Sequence, residues 1–153
     1  MMRIIIIYPH ENEVLRRIAR LMETLLKKAY WRAKVEIIKL NQIDKPEFFL
    51  ENDIIILGTP CVSGDIFWPL QVKVDELIHK SLSADFSSKV ISAFTVSPGL
   101  DDAKRCLNAI LWAFRETNAI TVSGLPLLSN MAEKEILEKI NTFLKSIKKA
   151  FKK

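Results

Sequence analysis

Glycine is scarce in this chain of 153 residues, with only four present, and cysteine and histidine occur twice each. Cys61 and Cys106 stand far apart and form no C-x-x-C pair. That spacing excludes a zinc ribbon or an iron–sulfur cluster built from this chain alone. His10 and His79 have no Cys or His neighbour at metal-ligand spacing, so no metal site is expected. A disulfide between Cys61 and Cys106 is not expected either, because a cytoplasmic compartment keeps thiols reduced. No apolar run approaches the length of a membrane-spanning helix, and Met1-Met2-Arg3 passes straight into Ile4 without the pattern of a signal peptide. The expectation is a cytoplasmic protein with no membrane contact. Glutamine is limited to Gln42 and Gln71 amid many Ile, Lys and Glu, a composition that leans towards thermophilic proteins.

What is present is globular. Hydrophobic residues make up 49% and charged residues 27%, enough apolar content for one real core and too much for disorder. The formal charge of +5 comes from the end of the chain, where Lys145, Lys148, Lys149, Lys152 and Lys153 have no acid among them. Setting those five aside leaves 18 of the 23 basic residues against 18 acidic ones. A lysine-rich helix end suits the helix macrodipole, and no nucleic-acid partner is expected.

The chain is organised around residues 53–65, Asp-Ile-Ile-Ile-Leu-Gly-Thr-Pro-Cys-Val-Ser-Gly-Asp. Residues 54–57 form an uninterrupted apolar run, the signature of a strand buried on both faces of a parallel sheet. Gly58-Thr59-Pro60 reads as a sharp turn, Gly64 as a point of close approach, and Asp65 as a cap for the amphipathic helix that follows. Similar apolar runs at 3–8, 35–40, 89–96 and 120–122 predict four more strands. Amphipathic helices separate them: Asn12 is a candidate N-cap for the first, Pro69 sits in the first turn of the third-strand helix, and Asp101 and Asp102 open the next. That fourth-strand helix is apolar on most faces, more than one sheet contact needs. A last helix spans about 132–151, and the lysine-rich segment 145–153 ends it. Residues 1–153 are thus expected to form one α/β domain.

Strands alternating with helices predict a three-layer, doubly wound, five-stranded parallel sheet, for which the order 2-1-3-4-5 is expected. Its switch point lies between the first and third strands. Three loops then converge on one crevice, at 9–13, 59–65 and 95–99.

The segment Ile55-Ile-Leu-Gly-Thr-Pro60 with Ser63-Gly64-Asp65 and its helix resembles the third-strand region of the flavodoxin-like superfamily. It is closest to the WrbA-type NAD(P)H:quinone reductases and their FMN-reductase relatives, which read D-A-I-I-x-G-T-P-x-x-x-G-N/S. The loop Thr95-Val96-Ser97-Pro98-Gly99 stands where that family has a Ser/Thr/Gly-rich loop beside the flavin. The resemblance implies FMN held between these loops, with Thr59, Pro60, Cys61, Val62, Ser63, Gly64 and Asp65 along the ring. Thr95, Ser97 and Gly99 would line its other edge or the ribityl chain, and His10 and Asn12 would donate to the phosphate. It implies an oxidoreductase passing electrons from NAD(P)H to a quinone or flavin-like acceptor, a homo-oligomer with small-molecule partners, and no catalytic side chain beyond the cofactor. The first loop departs from the family. It holds no Ser, Thr or Gly, and Glu11 and Glu13 set negative charge where a phosphate would bind. The alternative is a protein of this fold that has lost FMN and serves as a binding or assembly module. A response-regulator receiver is excluded, because Leu57-Gly58 stands where its phosphoacceptor Asp belongs.

Overall fold

The computed structural model describes residues 1–9, 11–30, 32–81 and 83–151. In chain order the elements are β1 (Arg3–Tyr8), α1 (Glu13–Ala29), β2 (Lys34–Lys39), α2 (Glu47–Leu50), β3 (Ile54–Gly58) and α3 (Trp68–Lys80). They continue with β4 (Val90–Ser97), α4 (Leu100–Trp112), β5 (Ile120–Thr121), β6 (Leu125–Leu128) and α5 (Glu133–Phe151). Every strand pairing is parallel, and the sheet runs β2-β1-β3-β4-β5 with β6 also on β4. The expected doubly wound order is therefore the observed one.

Side chains in a strand alternate between faces, and here both faces are covered. Ile4, Ile6, Ile54 and Ile56 pack with α1 and α5 on one face. Ile5, Ile7, Ile55 and Leu57 pack with α3 and α4 on the other. Each of these eight is essentially fully buried, worth roughly 1.5–3 kcal/mol per side chain. That is why the central strands read as continuous apolar runs instead of alternating ones. A charge at Ile6, which packs in the first of these layers, would have no water to reach.

The fifth strand position is split. β5 pairs with the start of β4 from Ile120, then Ser123-Gly124 interrupt the ladder before β6 resumes it. Ser92 fills the break: its buried hydroxyl donates to the Val122 carbonyl at 2.8 Å and lies 3.3 Å from that of Ser123. The expectation of a single strand at 120–122 followed by a loop was thus too short. Pro126 stands at the sheet edge, where a missing N–H leaves no ladder bond unmade.

The connector at 41–52 carries the single-turn α2, and Lys89 ties it down. The Lys89 ammonium donates to the carbonyls of Leu50 and Asn52, both at 2.8 Å. Burial pushes that ammonium below its ordinary value, and the charges of Asp53 and Asp85 oppose the shift. Among the described residues no helix is long and apolar enough to cross a membrane. No group of three or more His, Cys, Asp or Glu in them could hold a metal ion.

Candidate functional site

Parallel strands deliver all their C-terminal ends to one crest of the sheet. The chain leaves β1 towards β2 on one side and returns to β3 on the other, so the crest opens between β1 and β3. The loops that converge there follow β1, β3 and β4, as expected.

The loop after β3 begins as an extension of the sheet. The Thr59 N–H donates to the Phe94 carbonyl at 2.9 Å. The Thr95 hydroxyl donates to the Thr59 carbonyl at 2.6 Å. Gly58 is the last residue of β3 and not a turn residue, contrary to the sequence reading. Its role is space, since a Cβ there would stand 2.7 Å from the Phe94 ring. The turn comes later. Val62 and Asp65 form an antiparallel bridge, with the Asp65 N–H donating to the Val62 carbonyl at 2.9 Å. The two central residues both have positive φ, 54° at Ser63 and 79° at Gly64. That is the backbone of a type I′ hairpin turn, which favours small residues and glycine.

The turn lies against α4. A Cβ on Gly64 would stand 2.7 Å from Asp102 Oδ1 and 2.8 Å from Arg105 Nη1. Below it, Cys61 is joined to Cys106 of α4 by a disulfide, with Cα atoms 6.0 Å apart. The expectation that these two cysteines stay unlinked is corrected. They are 45 residues apart in sequence, but the fold brings the loop after β3 over the second turn of α4.

The structure separates the residues expected to line a cofactor. Val62, Ser63 and Asp65 are exposed at the turn, and Pro60 and Gly99 are half-buried. Thr59, Thr95 and Ser97 are buried, and each is tied into these loops by a hydrogen bond. Thr95 anchors Thr59, and the Ser97 hydroxyl accepts from the Gly99 N–H at 3.3 Å. Asp65 does not cap α3; Phe67 holds that position with no side-chain bond. His10 lies outside the described residues. Asn12 caps α1 as expected, its Oδ1 accepting the Leu15 N–H at 3.0 Å. That N–H is one of the donors a phosphate on this helix would otherwise use. Glu13 occupies the first turn, and its carboxylate lies 3.4 Å from Arg16 Nη1. Glu11 precedes it with a positive φ of 66°.

In the disulfide-bonded form the loop after β3 is held on α4, and one first-turn donor of α1 is taken by Asn12. Here the loop after β3 is seated directly on the start of α4, and Cys61 Sγ lies 3.2 Å from the Asp102 carbonyl oxygen. At the start of α1 the Asn12 cap takes one N–H and Glu13 adds negative charge to the first turn. Sequence reasoning missed Asp102, Arg105 and Cys106 as parts of this crest. Only the Gly64 spacing hinted that some backbone or side chain comes close.

Several hollows mark the surface. One of about 850 Å³ runs along α5 and the β5–β6 break, past Ser123, Gly124 and Glu138. One of about 300 Å³ borders the end of β1 at Pro9 and Phe67. A third, about 630 Å³, is a groove between α3 and α4.

No family model matches the chain, and no curated protein does. Solved structures do. Flavodoxin 2 from Bacillus cereus superposes with a TM-score of 0.78 at 21% identity, over 97% of this chain and 99% of its own. A Fusobacterium nucleatum flavodoxin mutant bound to flavin mononucleotide gives 0.76 at 17% identity, over 99% and 98%. A WrbA-like flavodoxin from Agrobacterium tumefaciens gives 0.72 at 19% identity, over 98% of both chains. At such identities the likeness establishes the flavodoxin-like fold.

Proposed function

We propose that this chain uses the flavodoxin-like fold without a resident flavin, as a binding or assembly module. The observation that carries this reading is the Gly64 turn seated on Asp102 and Arg105, closed by the Cys61–Cys106 bond. The capped, acidic start of α1 points the same way. The test is a visible spectrum of the purified protein, followed by FMN titration before and after reduction with a dithiol. The expected result is a colourless protein that leaves FMN fluorescence unquenched in both states. A bound-flavin band in the disulfide-bonded protein overturns the reading.

A second reading is favoured by the crest itself, where three loops converge beside the Gly-Thr-Pro-x-x-x-Gly element and its type I′ turn. It is an FMN-dependent oxidoreductase passing electrons from NAD(P)H to a quinone or flavin-like acceptor. When bound, FMN would supply the two-electron chemistry. The chain's part would be to hold the ring by the backbone of residues 60–65 and to exclude water. This reading requires that reduction of Cys61–Cys106 release the turn, so that flavin binds to the dithiol form. NAD(P)H consumption dependent on added quinone would then follow.

A further inference from the structure

The sheet has two edges, and they are built differently. β2 forms one, with Lys34, Glu36 and Lys39 along it and a Lys34–Glu36 ion pair at 2.9 Å. Charged side chains of this kind keep foreign strands off an edge. The other edge is the split strand at 120–128, and it contains no charged residue.

The free backbone groups of this second edge fall in a definite order. The N–H groups of Ile120 and Val122 donate to β4, to the Lys89 and Ile91 carbonyls, both at 2.9 Å. Alternation along a strand therefore turns the N–H and carbonyl of Thr121, between them, away from β4. The Ser129 N–H donates to the Ser97 carbonyl at 3.0 Å, so the Leu128 N–H points outward in the same way. Pro126 shares that side and offers only its carbonyl. The Leu128 carbonyl is already taken by the Met131 N–H at 3.1 Å. The edge thus presents a donor near each end and acceptors between them, which is what an added strand requires.

The groove of about 850 Å³ is lined on one side by this edge and on the other by α5. Val122, Leu128 and Met131 supply its apolar wall. On the α5 wall stand Glu135 and Glu138, both exposed. Glu133 pairs with Arg17 at 3.1 Å, whereas Glu135 and Glu138 make no ion pair among the described residues. Lys139 also lines the groove, so two acids there face one base.

That charge selects the occupant. Two acids beside an uncharged edge repel the phosphates of a nucleic acid and attract a basic chain. A second copy on this edge would bring the same two acids and a second Pro126, which has no N–H to give. An extended segment of a different protein matches instead. Side chains on one face of a strand recur every two residues, about 6.6 Å, and Glu135 and Glu138, three residues apart on a helix, stand about 5–6 Å apart. Lys or Arg at alternate positions would meet both. We propose that the edge at 120–128 and the groove beside it take an extended basic segment of a partner protein as an added strand. This gives the binding-module reading a partner class, and it uses no residue of the crest, so flavin binding there neither supports nor opposes it.

The probe is an end-blocked, fluorescein-labelled peptide of about seven residues, alternating valine and lysine, long enough to cover the edge. Fluorescence anisotropy on the full chain is expected to give saturable binding with a Kd below about 100 μM. The same peptide with glutamate for lysine should bind at least about 10-fold more weakly, and so should the lysine peptide on Glu135→Lys/Glu138→Lys. Both glutamates are exposed, so far-UV circular dichroism of that variant should not change. N-methylation of alternate peptide amides separates strand addition from charge attraction and leaves the protein untouched. Only the set that faces the edge should abolish binding when methylated. Absence of saturable binding by the lysine peptide overturns the proposal, and so does equal binding by the glutamate peptide. Binding that survives methylation of either set overturns it too, as does self-association of the chain that excludes the peptide.

Discussion

Gly64 carries two constraints at one position, a φ of 79° and a neighbour where its Cβ would stand. Ala at this position must adopt a left-handed backbone and also displace the Asp102 or Arg105 side chain. Those ends are flexible and can give way, so the backbone term dominates. Gly64→Ala is expected to lower stability by about 1–2 kcal/mol, read as a few degrees in Tm by calorimetry. An unchanged Tm would mean that residue 64 does not hold a left-handed backbone. Lys89 sets a different test. Its ammonium is depressed below its ordinary value of 10.5 by burial, so between the folded and unfolded pKa the unfolded chain binds more protons. Stability from this group therefore rises with pH across that interval, and its cost is fully present below it. Thermal unfolding from about pH 8 to 11 should show wild type gaining on Lys89→Met as pH rises. A constant difference between the two would refute the depressed pKa.

At the scale of elements, the disulfide is the strongest single constraint outside the core. It closes a loop of 45 residues that includes α3 and β4. In the chain-entropy account a loop of that length is worth about 4 kcal/mol, taken from the unfolded state. Urea unfolding with and without a reductant should differ by roughly that amount, and Cys106→Ser should match the reduced wild type. No difference would show that the thiols are unlinked in solution. The same elements mark how far the sequence could be read. β1 and β3 announced themselves, because a strand covered on both faces has no polar position to hide it. α1 was clear from its 3.6-residue stripe and from Asn12. β6 was hidden by Pro126, which reads as a stop everywhere except on a sheet edge. Asp65 looked like a cap because its neighbours belong to a helix, yet the type I′ turn claims it first. The disulfide could not be read at all. Its partners meet only through the order of the sheet, and no local pattern reports a contact between a loop and a helix 45 residues away.

At the scale of the whole molecule, charge and shape are arranged away from the crest. Lys145 and Lys149 lie exposed on α5, and Lys148 sits 5.2 Å from the Tyr30 ring centroid, so these three lysines belong to a packed helix. The crest has two separate obstacles to a flavin, and they sit at opposite ends of the ligand. At one end, acids at 11 and 13 and the Asn12 cap oppose a phosphate. At the other, the Cys61–Cys106 bond fixes the loop after β3 on α4. A ligand that spans both ends cannot gain from relief of only one, so the two repairs should be strongly non-additive. Glu11→Ser with Glu13→Thr removes repulsion that amounts to several kcal/mol at close range in a partly desolvated site. Cys61→Ser with Cys106→Ser frees the turn. Each pair alone is expected to leave FMN fluorescence unquenched. The four changes together are expected to give measurable quenching, because the three loops already converge where this fold holds its ligands. Binding by the first pair alone would show that the bonded loop does not close the slot. Binding by the second pair alone would show that the bond, and not the acidic first loop, keeps this crest empty of flavin.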